Sequence, residues 1–531
     1  MNGTWIRGAW TACALSACTA AAGTAAQPAA APKPPASLAV ANATASAVSL
    51  TWTAGDAATR FVVERKAAGT PWPAAAAATA PAPGTSAKPT ASAIATVDAP
   101  KADDTGLDAF ATYVYRVRAV GGGNALSAPS NEVTVGPPPA GFSQVLPTPA
   151  AILGHDRNDF AAVIRMAFDG NGDPAFAYLV SDPNGDGEPK DTELDFVSWN
   201  RARYRWNTPV RLDVVGDVVR EPARSPVSLA RDASTNRWAV AYMVGGHELK
   251  IAASTDGAAW TSARVERPPD DEAGMSTPAL ALAGGQTYLA YSFGGPGVRF
   301  RAGASTDPPE QWSKAFAPIL PGTSETRPEG VDVALDAAGK PVVSYLLNPS
   351  DGYNLTMALW HPGAAQPVKI LDTNNKQTDG PAAQLTAAGS QLAVIFYGNR
   401  DEAFFDNHHV WFTHSTDNGA TWSPVAVIAD DGGHSMVPPV SVTIDKAGHF
   451  AAAADLGGGN QDGVKCGLPN LMRSANGTQW TTCAPNTKGA SAADPGYPVI
   501  AFAANDKLYE AFRTRQPAAG LQPGLVLWRE P

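Results

Sequence analysis

At 531 residues the chain has room for more than one domain, and its 44% hydrophobic and 17% charged residues suit a well-packed core. A formal net charge of -10 argues against a general affinity for nucleic acid or an anionic membrane. No run of eighteen apolar residues occurs, which leaves no candidate for a membrane-spanning helix. With 50 Gly and 46 Pro, the composition favours many short strands joined by turns over long helices.

Residues 1–17, with one basic residue (Arg7) and a short apolar stretch, read as a secretory signal. Leu15-Ser16-Ala17-Cys18 resembles the lipobox of bacterial lipoproteins. That resemblance implies cleavage before Cys18, lipid on its sulfur, and an anchor in the cell envelope, on the periplasmic side or at the cell surface. The alternative is an ordinary signal cut among the alanines, which would release the protein. Either reading exports it. Beyond the signal region only Cys466 and Cys483 remain, and an even pair in an exported chain points to a disulfide. A zinc site would need further ligands at close spacing.

An Ala/Pro-rich linker occupies residues 18–34. The next segment, 35–137, contains SAVSLTW, RFVVERK and YVYRVRAV. In the last, Tyr113, Tyr115, Val117 and Ala119 share one face and Arg116 and Arg118 the other, the pattern of a half-buried antiparallel strand. Trp52 is a candidate core anchor. The segment resembles a fibronectin type III domain, and Leu107 followed by Tyr113 matches that family's tyrosine corner, in which a phenol ties a loop to the following strand. Within it the stretch PWPAAAAATAPAPGTSAKPT, from Trp72 onward, is a long low-complexity insertion, and Pro137-Pro138-Pro139 is a stiff linker. A spacer or weak binding module is the expected role.

From residue 141 to 531 the chain repeats. Seven copies of a strand, a tight turn rich in Asp, Gly or Asn, and a second strand run from AFDGNGDPAFAY to AFAANDKLYEAF. Turns ending in tryptophan accompany them. Ser415 to Trp422 is a full match to the Asp box S-x-D-x-G-x-T-W, Ser254 to Trp260 a contracted copy, and Ser305 to Trp312 and Ser474 to Trp480 degenerate ones. Repeats of four short strands with a Gly/aromatic signature indicate a β-propeller. The fold class expected is therefore all-β, a fibronectin type III sandwich plus a propeller. Seven blades are favoured over six, with the strand near 143–150 completing the last blade. The Asp boxes resemble those of sialidases and other BNR-repeat proteins, although the sialidase catalytic domain has six blades. In these boxes Asp256 and Asp417 are expected to close turns and Trp260 and Trp422 to pack between blades, on the face opposite the site.

Two loops carry candidate chemistry. DPNGDGEPKDTE fits the calcium-loop pattern, with Asp182, Asn184, Asp186 and Glu193 as oxygen ligands and Gly187 at the turn. No helices flank it and Pro189 opposes EF-hand pairing, so a stand-alone calcium loop and a solvated acidic loop are the two readings. YGNRDEAFFDNHHVW is the longest charged loop, bearing Arg400, Asp401, Glu402, Asp406, His408 and His409. Arg224, Arg327, His434 and Arg513 join them as ligand-binding candidates in loops expected at one end of the channel. The sialidase resemblance implies three arginines on a substrate carboxylate, an Asp acid/base and a Tyr–Glu nucleophile pair. The family's F/Y-R-I-P signature is absent, VIRM around Arg165 being the nearest string, so no catalytic residue carries over. Three functions stay open: a surface-anchored protein binding a glycan or other polymer, a glycoside hydrolase of sialidase type, and an envelope scaffold binding protein. Catalysis is left undecided, and calcium is the only cofactor suggested.

Overall fold

A computed structural model describes residues 32–55, 58, 60–73, 93–147, 163–180, 192–216, 226–267, 278–293, 297–318, 328–347, 356–372, 383–399, 408–430, 440–454, 470–482, 495–514 and 524–531. The proposed signal, Cys18, Cys466 and Cys483 lie outside them.

The described residues of 36–135 form two facing sheets. One holds Ala36–Ala43, Ala47–Thr53 and Lys101–Thr105, and the other Ala93–Val97, Phe61–Ala67, Tyr113–Ala119 and Val133–Val135. Alternation along Tyr113–Ala119 does what its pattern requires. Tyr115, Val117 and Ala119 are buried against Leu38, Leu50, Trp52 and Phe61, while Arg116 and Arg118 meet Glu64 on the other face. The Tyr113 hydroxyl accepts the backbone N–H of Asp108 at 3.2 Å and so ties the loop to its strand.

Among the described residues seven antiparallel sheets follow, within 164–214, 227–266, 279–316, 328–372, 383–430, 440–482 and 495–529, and numbered sheets 1 to 7 in that order. Sheets 1 to 6 each have four successive strands, and sheet 1 adds a two-residue strand at Arg205–Trp206. Sheet 7 takes its fourth strand, Gly141–Pro147, from the start of the repeat region, paired with Gly524–Arg529. The first strands contact one another in sequence, and that of sheet 7 returns to that of sheet 1. The result is a closed ring around a channel, a β-propeller. The second strand Pro174–Val180 is buried throughout, and Pro341–Leu347 at all but its first residue, because each sheet is covered by a neighbour on both faces.

Three of the four Asp boxes share one geometry, and in the sheet 3 copy the Trp312 indole N–H goes instead to the Asp307 carbonyl (3.1 Å). In sheet 5, Asp417 accepts the Ser415 hydroxyl (2.7 Å) and the Thr421 N–H (2.8 Å), and Trp422 donates its indole N–H to the Gly419 carbonyl (3.1 Å). Asp256 and Trp260 repeat this in sheet 2, and in sheet 6 Asn476 replaces the acid. The glycine is required by its φ of +86° at Gly419 and by the preceding sheet, since a Cβ there would meet Leu359 at 2.4 Å. Trp260 packs on Phe196 of sheet 1, ring centroids 4.8 Å apart. These turns join third and fourth strands at one end of the ring, shared with the first-to-second-strand turns. Second strands end and third strands begin at the opposite, open end.

Candidate functional site: the open end of the channel

The first strand of every sheet has one edge facing the channel, and its N–H groups need acceptors. The preceding sheet supplies them. Ser228 accepts from Leu280 N–H (3.1 Å), Asp332 from Leu385 N–H (2.9 Å), Gln384 from Val442 N–H (2.7 Å) and Ser441 from Ile500 N–H (3.1 Å). These four residues are register-equivalent, as is Arg165 in sheet 1. Their second-strand partners are Ala241, Ser344, Ile395, Ala453 and Ala177, each immediately before the residue closing the shared hydrophobic pattern. Together they form one polar layer toward the open end.

Arg165 cannot accept a hydrogen bond, so it breaks the capping pattern. Its guanidinium donates to the Ile164 carbonyl at 2.9 Å, its only hydrogen bond among the described residues. Burial between converging strands lowers its pKa to about 10, partly countered by the field of Asp332. Arg165 nevertheless keeps some accessible surface, as expected of a group lining a narrow channel. Burial pushes Asp332 up to about 6 against the pull of Leu385 N–H, Val333 N–H and Arg165. Its second oxygen accepts Val333 N–H at 2.8 Å, so both oxygens are committed to backbone donors. The layer thus offers a forked cation that no carboxylate among the described residues neutralises by contact, suited to an anionic or hydroxyl-rich group.

Outside this layer, tyrosines near the ends of the second strands link adjacent sheets. Tyr242 donates to Asp213 (2.9 Å), which also takes Lys250 (3.0 Å), and Tyr345 donates to the Pro318 carbonyl (3.3 Å). Tyr291 donates to Glu266 at 2.7 Å and accepts from Arg301 at 2.6 Å. By composition Tyr291–Glu266 is the nucleophile pair that the sialidase resemblance implies. Yet Tyr291 is 1% exposed and bridges two sheets, and burial raises its phenol pKa. That makes it a staple between sheets rather than a nucleophile. In sheet 1 the equivalent Tyr178 reaches Asp195 of its own sheet at 3.4 Å, and burial pushes Asp195 up to about 6.

Of the calcium-loop residues, Asp182, Asn184 and Asp186 lie outside the described residues. Glu193 was expected in the loop. It instead opens the strand Glu193–Asn200 opposite Val180 and accepts Arg211 at 2.6 Å. Arg224, Arg327, Arg400, Asp401, Glu402, Asp406 and His434 are likewise outside the description. His408 and His409 begin the third strand of sheet 5, paired with Asn399 and Gly398, and Arg513 pairs with Gly496 and Leu525 in sheet 7. The turn Asp169 to Asp173 of the repeat AFDGNGDPAFAY is the hairpin that its strand–turn–strand pattern implies, with Asp169 accepting Asn171 N–H (2.7 Å) and Asp173 N–H (2.9 Å). Arg165 and Asp332 were not among the sequence candidates. The signal that finds them is a polar residue at one position in five of the seven first strands: IRMAF, VSLARD, VDVAL, AQLTAA and VSVTI.

The ring and its strand order define the class, an all-β protein built on a β-propeller. No family model matches the chain, and no curated protein does. Among solved structures it is similar to a mutant of NanB sialidase from Streptococcus pneumoniae, with 9% identity over 81% of this chain and 86% of that one, TM-score 0.39. It is also similar to an alpha-L-arabinanase from Penicillium chrysogenum complexed with arabinobiose, with 13% identity, 60% and 94% coverage and TM-score 0.39. The Hadza microbial sialidase Hz136 matches at 10% identity, 92% and 93% coverage and TM-score 0.38. Similarity at this level carries no residue's role across.

Proposed function

We propose that the protein is an exported binding protein whose propeller engages an anionic glycan or related polymer at the open end of its channel. Arg165 carries this reading: a crowded guanidinium at the channel wall, with no carboxylate in contact among the described residues, favours a ligand that brings negative charge. The test is a titration of carboxylated and neutral oligosaccharides against wild type and Arg165→Gln. Binding of the carboxylated set that Arg165→Gln weakens at least tenfold, with an unchanged melting temperature, supports the proposal. Equal binding by both proteins overturns it.

Glycoside hydrolysis is the second reading, favoured by Asp332 with its carboxyl raised to about 6 beside the channel. It ranks lower because both Asp332 oxygens are held by backbone donors, which leaves neither free to protonate a leaving group. Release of reducing sugar from any bound oligosaccharide would reverse that order. We take the N-terminal sandwich to be a fibronectin type III domain, on its three-on-four strand order and the Tyr113–Asp108 bond. Export with lipid on Cys18, and calcium held by Asp182, Asn184, Asp186 and Glu193, rest on the sequence. Calcium would have to draw Glu193 from Arg211.

A further inference from the structure

The sandwich meets the propeller at the end of the ring opposite Arg165, across sheets 7 and 1, where the ring closes. Its contacts come from three places at one end of the sandwich. The turn between its first two strands gives Ala45 N–H to Asn171 at 2.9 Å. The loop held by Tyr113 offers the Ala109 carbonyl to Arg201 (2.7 Å) and the Phe110 carbonyl to Arg529 (3.2 Å). The exit from the last strand offers the Gly136 carbonyl to the Trp199 indole N–H at 2.8 Å.

The receiving surface is built rather than incidental. Arg201 is 5% exposed and pairs through two nitrogens with Asp173, itself 1% exposed, at 2.7 and 2.8 Å. Arg529 is 6% exposed. Guanidiniums buried this far need acceptors, and the sandwich backbone supplies one to each. The Phe110 ring packs against a cluster that joins Val499, Ala503 and Tyr509 of sheet 7 to Phe176 and Val197 of sheet 1. The loop is set in advance, since Asp108 accepts Phe110 N–H at 2.9 Å and gives its own N–H to Tyr113. Pro137 and Pro138 in the connection are buried, so the linker adds no slack.

The chain enters the sandwich at its far end: the first strand starts at Ala36 opposite Thr53, with Pro32 beside Gly121 and Lys33 beside Gly55. An eight-residue strand rises roughly 25 Å. We propose that the sandwich is a rigid pedestal, clamped end-on beneath the closure seam, which holds the open end of the channel away from the point where the chain enters at Ala36. The pedestal stands whether or not the channel binds glycan.

The experiment is scanning calorimetry and small-angle X-ray scattering on the full chain and on Phe110→Asp. The pedestal predicts one unfolding transition and scattering from a single rigid particle in wild type. In Phe110→Asp it predicts two separated transitions and a larger radius of gyration. Two independent transitions or a flexible two-body profile in wild type would overturn it, and so would a folded Phe110→Asp identical to wild type. If Phe110→Asp does not fold, the wild-type measurements decide alone.

Discussion

Glu510 provides the sharpest test of how this propeller is held together. It lies in the second strand of sheet 7, is 2% exposed, and has an oxygen without a hydrogen-bond partner. It shares a face with Leu508, which packs on Ala451, Ala453 and Leu471 of sheet 6. Arg473, whose field acts on it, is paired with Glu530 at 2.9 Å. Burial therefore pushes the carboxyl from its ordinary 4.5 up to about 8. Between those values the folded chain keeps a proton that the unfolded chain has released. Stability then falls as pH rises from about 4.5 to about 8 and levels off above. At 1.36 kcal/mol per pH unit, the loss at pH 7 is about 3 kcal/mol and at pH 5 under about 1 kcal/mol. Glu510→Gln keeps the shape and cannot ionise, so it should match wild type near pH 5 and exceed it by about 3 kcal/mol at pH 7. Denaturant unfolding followed by tryptophan fluorescence at several pH values reads the difference directly. Parallel stability of the two proteins from pH 5 to 8 would mean that the carboxyl has a charged partner or water, and the reasoning would fail.

Asp417→Ala should lower the melting temperature while leaving ligand affinity intact, because the carboxylate closes a turn at the end away from Arg165; lost binding at an unchanged melting temperature would refute this. If Cys466 and Cys483 are joined, thiol titration of unreduced, denatured protein should detect neither of them. If the acidic loop binds calcium, added calcium should raise the melting temperature and Glu193→Gln should blunt the rise. No shift at millimolar calcium would leave Glu193 as the partner of Arg211 alone.

The hairpin repeats and Asp boxes were legible because each is local. A turn glycine, a capping Asp and a tryptophan three residues beyond the glycine act within one short segment, so their spacing survives in the sequence. The seven repeat copies fall on the first two strands of the seven sheets for the same reason. Closure by Gly141–Pro147 was also foreseeable, since the last repeat lacks a strand. What the sequence left hidden depends on residues far apart in the chain. Arg165 and Asp332 share one layer only because the ring brings first strands 167 positions apart around a common axis. Arg201 and Arg529 look like ordinary turn and terminal charges until a separate domain brings its backbone carbonyls to them. Glu193 reads as a loop ligand, but strand register sets it opposite Val180, where Arg211 claims it. Local geometry is written in short spacings, whereas the partner of a buried charge is chosen by closure and docking, which only the folded chain decides.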